Sequence, residues 1–189
     1  PHYHGPEQHD RDGRDSGVCL FQVRSAIWHD WVFVNLDGKA CDFEDYMAPV
    51  NGYYKGWDLS AFCYAYHDSF EFRCNWKLAV ENYCDFYHVF MVHPALHRTM
   101  TKEARKSMIT MGRHLMNEYW FEATGRGGEG DKSGYGMQTI PGLKPENTNR
   151  SCYSAVFPNV AINVYPTAVQ FVLFEPVAAD RTRMHMWFY

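Results

Sequence analysis

No two of the six cysteines form a C-x-x-C pair; they stand at 19, 41, 63, 74, 84 and 152. That scatter excludes the usual zinc-ribbon spacing and a disulfide framework, and points to reduced thiols. Long apolar runs are missing too: none approaches the roughly 18 residues of a membrane span. Basic residues form no stripe and the net charge is −4, which argues against nucleic acid as a partner. No charged stretch followed by an apolar one opens the chain, so no secretory signal is read and a cytoplasmic location is expected. Apolar and aromatic side chains are plentiful, 46% and 17% of 189 residues. This is the composition of a packed interior, not of a disordered chain.

Local patterns place the elements. Residues Ala26 to Leu36 (AIWHDWVFVNL) are β-branched and aromatic and predict one strand, closed by Asp37-Gly38. The mixed stretch from Cys41 to Trp57, punctuated by Pro and Gly, reads as a connector. Ala61 to Arg73 alternates roughly with period two and predicts a half-buried strand. Asn75 can cap a helix over Trp76–Tyr87, with Leu78, Val80, Tyr83, Phe86 and Tyr87 as its apolar stripe, and Pro94 ends it. The region from Thr124 to Arg150 is rich in Gly, Lys, Asn and Ser and reads as a long loop. Its glycines around Gly125–Gly136 are no phosphate cradle, because no G-K-[ST] follows. Four strand-like runs close the chain, over Cys152–Phe157, Ala161–Tyr165, Val169–Val177 and Arg183–Tyr189, and predict an antiparallel meander. The sum is an α+β layout.

Chemistry concentrates in NWKLAVENYCDFYHVFMVHPAL, Asn75 to Leu96, which contains D-x2-H-x4-H at Asp85, His88 and His93. The histidine pair alone decides nothing, since about 0.5 such pairs arise by chance at this composition. On a regular helix residues five apart differ by about 140° and do not share a face, so two ligands at this spacing need the helix to end between them. Pro94 supplies the disruption. Asp85 and His88, three apart, share a face, so Asp85 can hold the ring nitrogen of His88 that a metal does not use. Two imidazoles and a carboxylate with open positions form the facial triad that suits Fe(II) and O2. The plain alternatives are two ordinary histidines near a helix end, a solvated Asp85 and a surface Asn82; packing is the simpler role for Trp76 and Tyr87.

The string resembles the signature of Rieske non-haem iron oxygenase α subunits, N-W-K-x-x-x-E-N-x-x-[DE]-x-Y-H-x4-H-P, from Asn75, Trp76 and Lys77 through Glu81, Asn82, Asp85, Tyr87 and His88 to His93 and Pro94. The likeness extends to W-x-x-W-V-F-V-N-L-D at Trp28–Asp37, to F-P-N at Phe157–Asn159 and to Glu175–Arg183. It implies a helix-grip catalytic domain over residues 39–189, an antiparallel sheet wrapped around a helix, after the remnant of an all-β Rieske domain over 1–38. It implies mononuclear Fe(II) on His88 and His93, with Asp85 bridging to a neighbouring subunit's cluster and Asn82 and Tyr87 as support. The implied activity is insertion of oxygen from O2 into an aromatic or other apolar substrate. Electrons come from NAD(P)H through a reductase, in some systems by way of a ferredoxin. A homotrimer or an α3β3 assembly is implied for the full-length protein.

The family's [2Fe–2S] cluster is held by C-x-H and C-x2-H pairs. Here His4 stands in a ligand place of the second pair, but the matching cysteine position is Pro1. The cluster is therefore expected only in a full-length protein. The third iron ligand, an aspartate on a late helix in the family, is expected past Tyr189, and Asp180 does not replace it. Both ends read as cut, so an inactive fragment is expected. Two alternatives remain open: a mono-oxygenase or demethylase of a small quaternary ammonium or methylated substrate, and a non-catalytic ligand-binding module on the same scaffold.

Overall fold

The computed structural model describes residues 22–99, 108–120 and 139–189. His4 and the Gly-rich stretch at 125–136 lie outside them. The chain divides into a unit ending at Phe43 and a second unit, Glu44–Tyr189.

In the first unit the expected single strand is a hairpin. Strands β1 (Arg24–Trp28) and β2 (Trp31–Asn35) pair antiparallel, with Trp28 opposite Trp31. The turn is His29-Asp30, and His29 takes a φ of 51°. A left-handed residue usually announces itself as Gly or Asn. Histidine there hides the turn from sequence patterns.

The expected connector is a helix, α1 (Phe43–Tyr54), in the second unit from Glu44 onward, despite Pro49 inside it. Proline removes one donor, but Met47, Val50 and Tyr54 recur on one face and are buried. Packing therefore outweighs the local penalty. Strand β3 (Tyr66–Phe72) follows, then helices α2 (Trp76–Cys84), α3 (Tyr87–Val92) and α4 (Pro94–Thr99). The remaining strands are β4 (Met108–Met111), β5 (His114–Trp120), β6 (Arg150–Val156), β7 (Val160–Val164), β8 (Val169–Ala178) and β9 (Arg181–Phe188).

Among the described residues these strands form one antiparallel sheet in the order β3-β9-β8-β7-β6-β5-β4. The expected meander is present as β6 to β9. Strand β3 is exposed at nearly every position, not half-buried, because it lies at an edge of the sheet.

The two sheet faces carry different helices. Tyr54 of α1 meets Ser154 of β6 and donates to the carbonyl of Ile162 of β7 at 3.4 Å. Helix α2 lies on the opposite face: Ala79, Val80 and Tyr83 pack on Ala161, Val172, Phe174, Met184 and Met186. The predicted stripe is only partly right, since Leu78 is 57% exposed. Asn75 caps α2 as expected, accepting from Lys77 N at 3.1 Å, and its amide donates to the Ala179 carbonyl at 2.7 Å. The helix start is thereby tied to the β8–β9 turn.

His114 at the start of β5 is buried. Its Nδ1 accepts from the Phe157 amide at 3.2 Å, so Nε2 carries the proton and donates to the Tyr46 carbonyl at 2.9 Å. Burial, with Arg113 adding a smaller contribution, pushes its pKa below the ordinary 6.5. The unfolded chain therefore takes up this proton at higher pH than the folded chain does. His114 stabilises the fold fully above about pH 6.5 and progressively less as pH falls below it. The urea midpoint is expected to drop between pH 7 and pH 5. A ring titration midpoint for His114 at or above 6.5, followed by NMR, would contradict this.

Candidate metal centre

The histidine segment is built by two helix breaks. α2 ends at Cys84, and Asp85 leaves the helix with φ −72° and ψ 123°. The expected helix over 76–87 therefore stops earlier, and Asp85 and His88 do not share a helical face. Instead the Asp85 carboxylate accepts the Tyr87 amide at 2.9 Å and the His88 amide at 3.1 Å. It caps the start of α3, as aspartate commonly caps helices. The second break falls at His93, with φ −117° and ψ 61° between α3 and α4. Pro94 opens α4, a first-turn position where proline is tolerated.

The two breaks bring the rings together. His88 and His93 have centroids 5.2 Å apart and planes at 74°. A metal–nitrogen bond of about 2.1 Å plus roughly 1.1 Å to the ring centre would put two imidazoles on one ion some 4.5–5.3 Å apart, for ligand angles near 90–110°. The observed spacing fits. Both rings line one cavity of about 510 Å³, within the range of small-molecule sites. His88 Nδ1 is buried without a hydrogen-bond partner among the described residues, and Asp85 Oδ2 lies 3.7 Å from it. The carboxylate thus stands on the Nδ1 side of the His88 ring, with Nε2 on the other. The described residues hold no group of three or more His, Cys, Asp or Glu able to bind a metal. The residues present therefore supply two imidazole donors, part of a ligand set.

Asn82 lines the same cavity, one turn before Asp85. Tyr87 is 80% exposed, so it is neither core nor cavity wall. The walls include residues that no motif marks: Phe70 and Phe72 from β3, Tyr119 from β5, Tyr153 from β6 and Phe174 from β8. Period two along β3 could have paired Phe70 with Phe72 on one face. Tyr119 and Tyr153 meet edge to face at 4.5 Å. Desolvation raises the hydroxyl pKa of Tyr119, with Asp85 nearby adding to it. Tyr83 also lines the cavity, while its hydroxyl donates to Asn163, whose amide reaches Gln170 at 2.6 Å. Burial likewise holds Tyr83 protonated, and it pushes the Cys84 thiol up to about 11.

The histidine pair and its cavity lie on the face of the antiparallel sheet that carries α2. Residues 59–189 match the ring hydroxylating alpha subunit (catalytic domain) family, and the chain belongs to that family. Its members are Rieske non-haem iron oxygenases, oxidoreductases that use O2, with mononuclear iron in this domain and a [2Fe–2S] cluster in an N-terminal one. Among individual relatives, the glycine betaine monooxygenase oxygenase subunit of Pseudomonas aeruginosa is 28% identical over 91 residues, 48% of this chain and 21% of that protein. The quaternary ammonium Rieske monooxygenase CntA, solved with an inhibitor, matches with a TM-score of 0.68 at 18% identity, over 88% of this chain and 41% of that one. Naphthalene 1,2-dioxygenase from Rhodococcus sp., bound to indole, matches with a TM-score of 0.67 at 19% identity, over 98% of this chain and 50% of that one. The chain thus spans half or less of the length of these relatives, and the solved structures speak for the fold alone. No helix among the described residues is long and apolar enough to cross a membrane.

Proposed function

We propose that the chain is the mononuclear-iron part of a Rieske oxygenase that hydroxylates an aromatic or other apolar substrate. The observation that carries this is the shared cavity of His88 and His93, walled by Phe70, Phe72, Leu78, Val89 and Phe174. His88 and His93 hold Fe(II) through neutral imidazole nitrogen, and Asp85 orients His88 from behind. Bound iron supplies a place where O2 is reduced next to the substrate. The apolar walls exclude water and hold a flat ring against the histidines. Asn82 offers the reacting end of the cavity an amide. A third ligand, here outside the described residues, completes the set.

The catalytic domain, residues 39–189, has the helix-grip architecture, with α2 as the gripped helix. Residues 1–38 are the end of a Rieske domain, to which His4 belongs. Electrons come from NAD(P)H through a reductase, directly or by a ferredoxin, and reach the iron across a subunit boundary near Asp85. The assembly is a homotrimer or α3β3 and is cytoplasmic.

Oxidation of a quaternary ammonium compound is the second reading. The aromatic rings around the cavity favour it, since a ring face attracts such a cation, as does the 28% identical relative. Against it, none of the described lining residues is Asp, Glu, Lys or Arg. The test supplies a full-length form with reductase, NADH and 18O2, and offers naphthalene and glycine betaine in parallel. Labelled ring-hydroxylated product is expected. Demethylated betaine alone would overturn the substrate class, and no labelled product from any apolar or methylated compound would overturn the oxygenase reading.

A further inference from the structure

The turn that presents His88 is held by a residue from another element. Cys84 is the last residue of α2, so its carbonyl has no partner within the helix. Asn117 of β5, 2% exposed, fills that gap: its Nδ2 donates to the Cys84 carbonyl at 3.2 Å. A carbonyl can receive only the donor end of an amide, which fixes the orientation. Asn117 Oδ1 is then left buried and without a partner among the described residues.

Tyr119, two residues on and on the same face of β5, packs on the next part of the turn. Its ring lies 5.4 Å from that of Phe86, and it forms one cluster with Val89. Phe86 and Val89 stand on either side of His88. The backbone of the turn is therefore satisfied from two directions: Asn117 takes the last carbonyl before Asp85, and Asp85 takes the first amides after it.

We propose that Asn117 is a positioning residue of the histidine site: its amide fixes where α2 stops, and so the direction in which His88 enters the cavity. Tyr119 supports it by packing. The metal arm of this inference rests on reading His88 and His93 as ligands; the backbone arm does not.

The experiment compares the chain with Asn117→Ala, Asn117→Ser and His88→Ala. Amide exchange by NMR reads the turn, and titration with Co(II), a redox-stable stand-in for Fe(II), reads the site. In Asn117→Ala the amides of Asp85, Tyr87 and His88 are expected to exchange about tenfold faster, while those of β6 and β7 keep their protection. Co(II) affinity is expected to fall about 10- to 100-fold, the usual cost of losing a group that orients a ligand. Asn117→Ser, smaller but still a donor, recovers part of both. Unchanged exchange at the turn, or faster exchange spread evenly over β6 and β7, overturns the proposal. Should Asn117→Ala not fold, Asn117→Ser is judged by the same contrast between the turn and β6–β7. Co(II) binding untouched by His88→Ala overturns the ligand reading instead, and the exchange data still decide the role of Asn117.

Discussion

Replacing either His88 or His93 by alanine is expected to weaken Fe(II) binding by more than about 100-fold, the upper end of what removing a ligand's supporting partner costs. Each ring supplies one of the two imidazole donors that the described residues bring to the cavity. Asp85→Asn removes the carboxylate behind His88 but keeps an acceptor for the α3 amides, so a smaller loss, about 10- to 100-fold, is expected. The fold should persist in all three variants, because His93 and Asp85 are exposed and His88 is only partly buried. Anaerobic equilibrium dialysis with iron analysis ranks the losses. Equal iron in the wild type and in His88→Ala would remove the metal reading altogether.

The second large effect concerns stability. Glu118 pairs with Arg150, and their side chains are only 10% and 20% exposed. Arg150 also donates to Tyr53 and to Asn147 Oδ1 at 3.1 Å, and its guanidinium sits 5.8 Å from the Trp120 ring centre. Glu118→Ala leaves that cation buried and unmatched. Breaking such a pair from one side typically costs about 3–5 kcal/mol, whereas replacing both partners by apolar groups is often close to neutral. Urea unfolding of Glu118→Ala is therefore expected to lose about 3 kcal/mol or more, and Glu118→Leu/Arg150→Met clearly less. A double variant as damaged as the sum of its singles would show that the pair is not coupled.

Much of this was legible in the sequence, and the failures have two causes. The cap at Asn75 and the meander expected from Cys152 onward rest on local chemistry, and both are present; a helix break does precede Pro94, but it ends α3, and α2 stops at Cys84. Strand β5 could not be read. His114, Asn117 and Glu118 interrupt any apolar pattern, yet all three are buried because distant groups satisfy them: Tyr46 and Phe157, Cys84, and Arg150. Those partners lie far away in the chain, where no window reaches. The break at Asp85 is different. Its signal was local, since aspartate is a preferred cap, but E-N-Y-C-D-F-Y also reads as continuous helix. The histidine pair was found from its motif, while the aromatic walls around it come from four separate strands that only the folded sheet assembles.

The position of β3 has a practical consequence. Among the described residues it lies at one edge of the sheet, with seven residues and an exposed Tyr66 and Phe70. A long apolar edge is a template for fibril-like association between molecules. Here His67, Asp68, Ser69 and Glu71 are interleaved with the aromatics, and β4 at the opposite edge has only four residues. Charge on one rim and brevity on the other keep copies from stacking rim to rim. Changing Asp68 and Glu71 to apolar residues is expected to raise light scattering as the protein is concentrated.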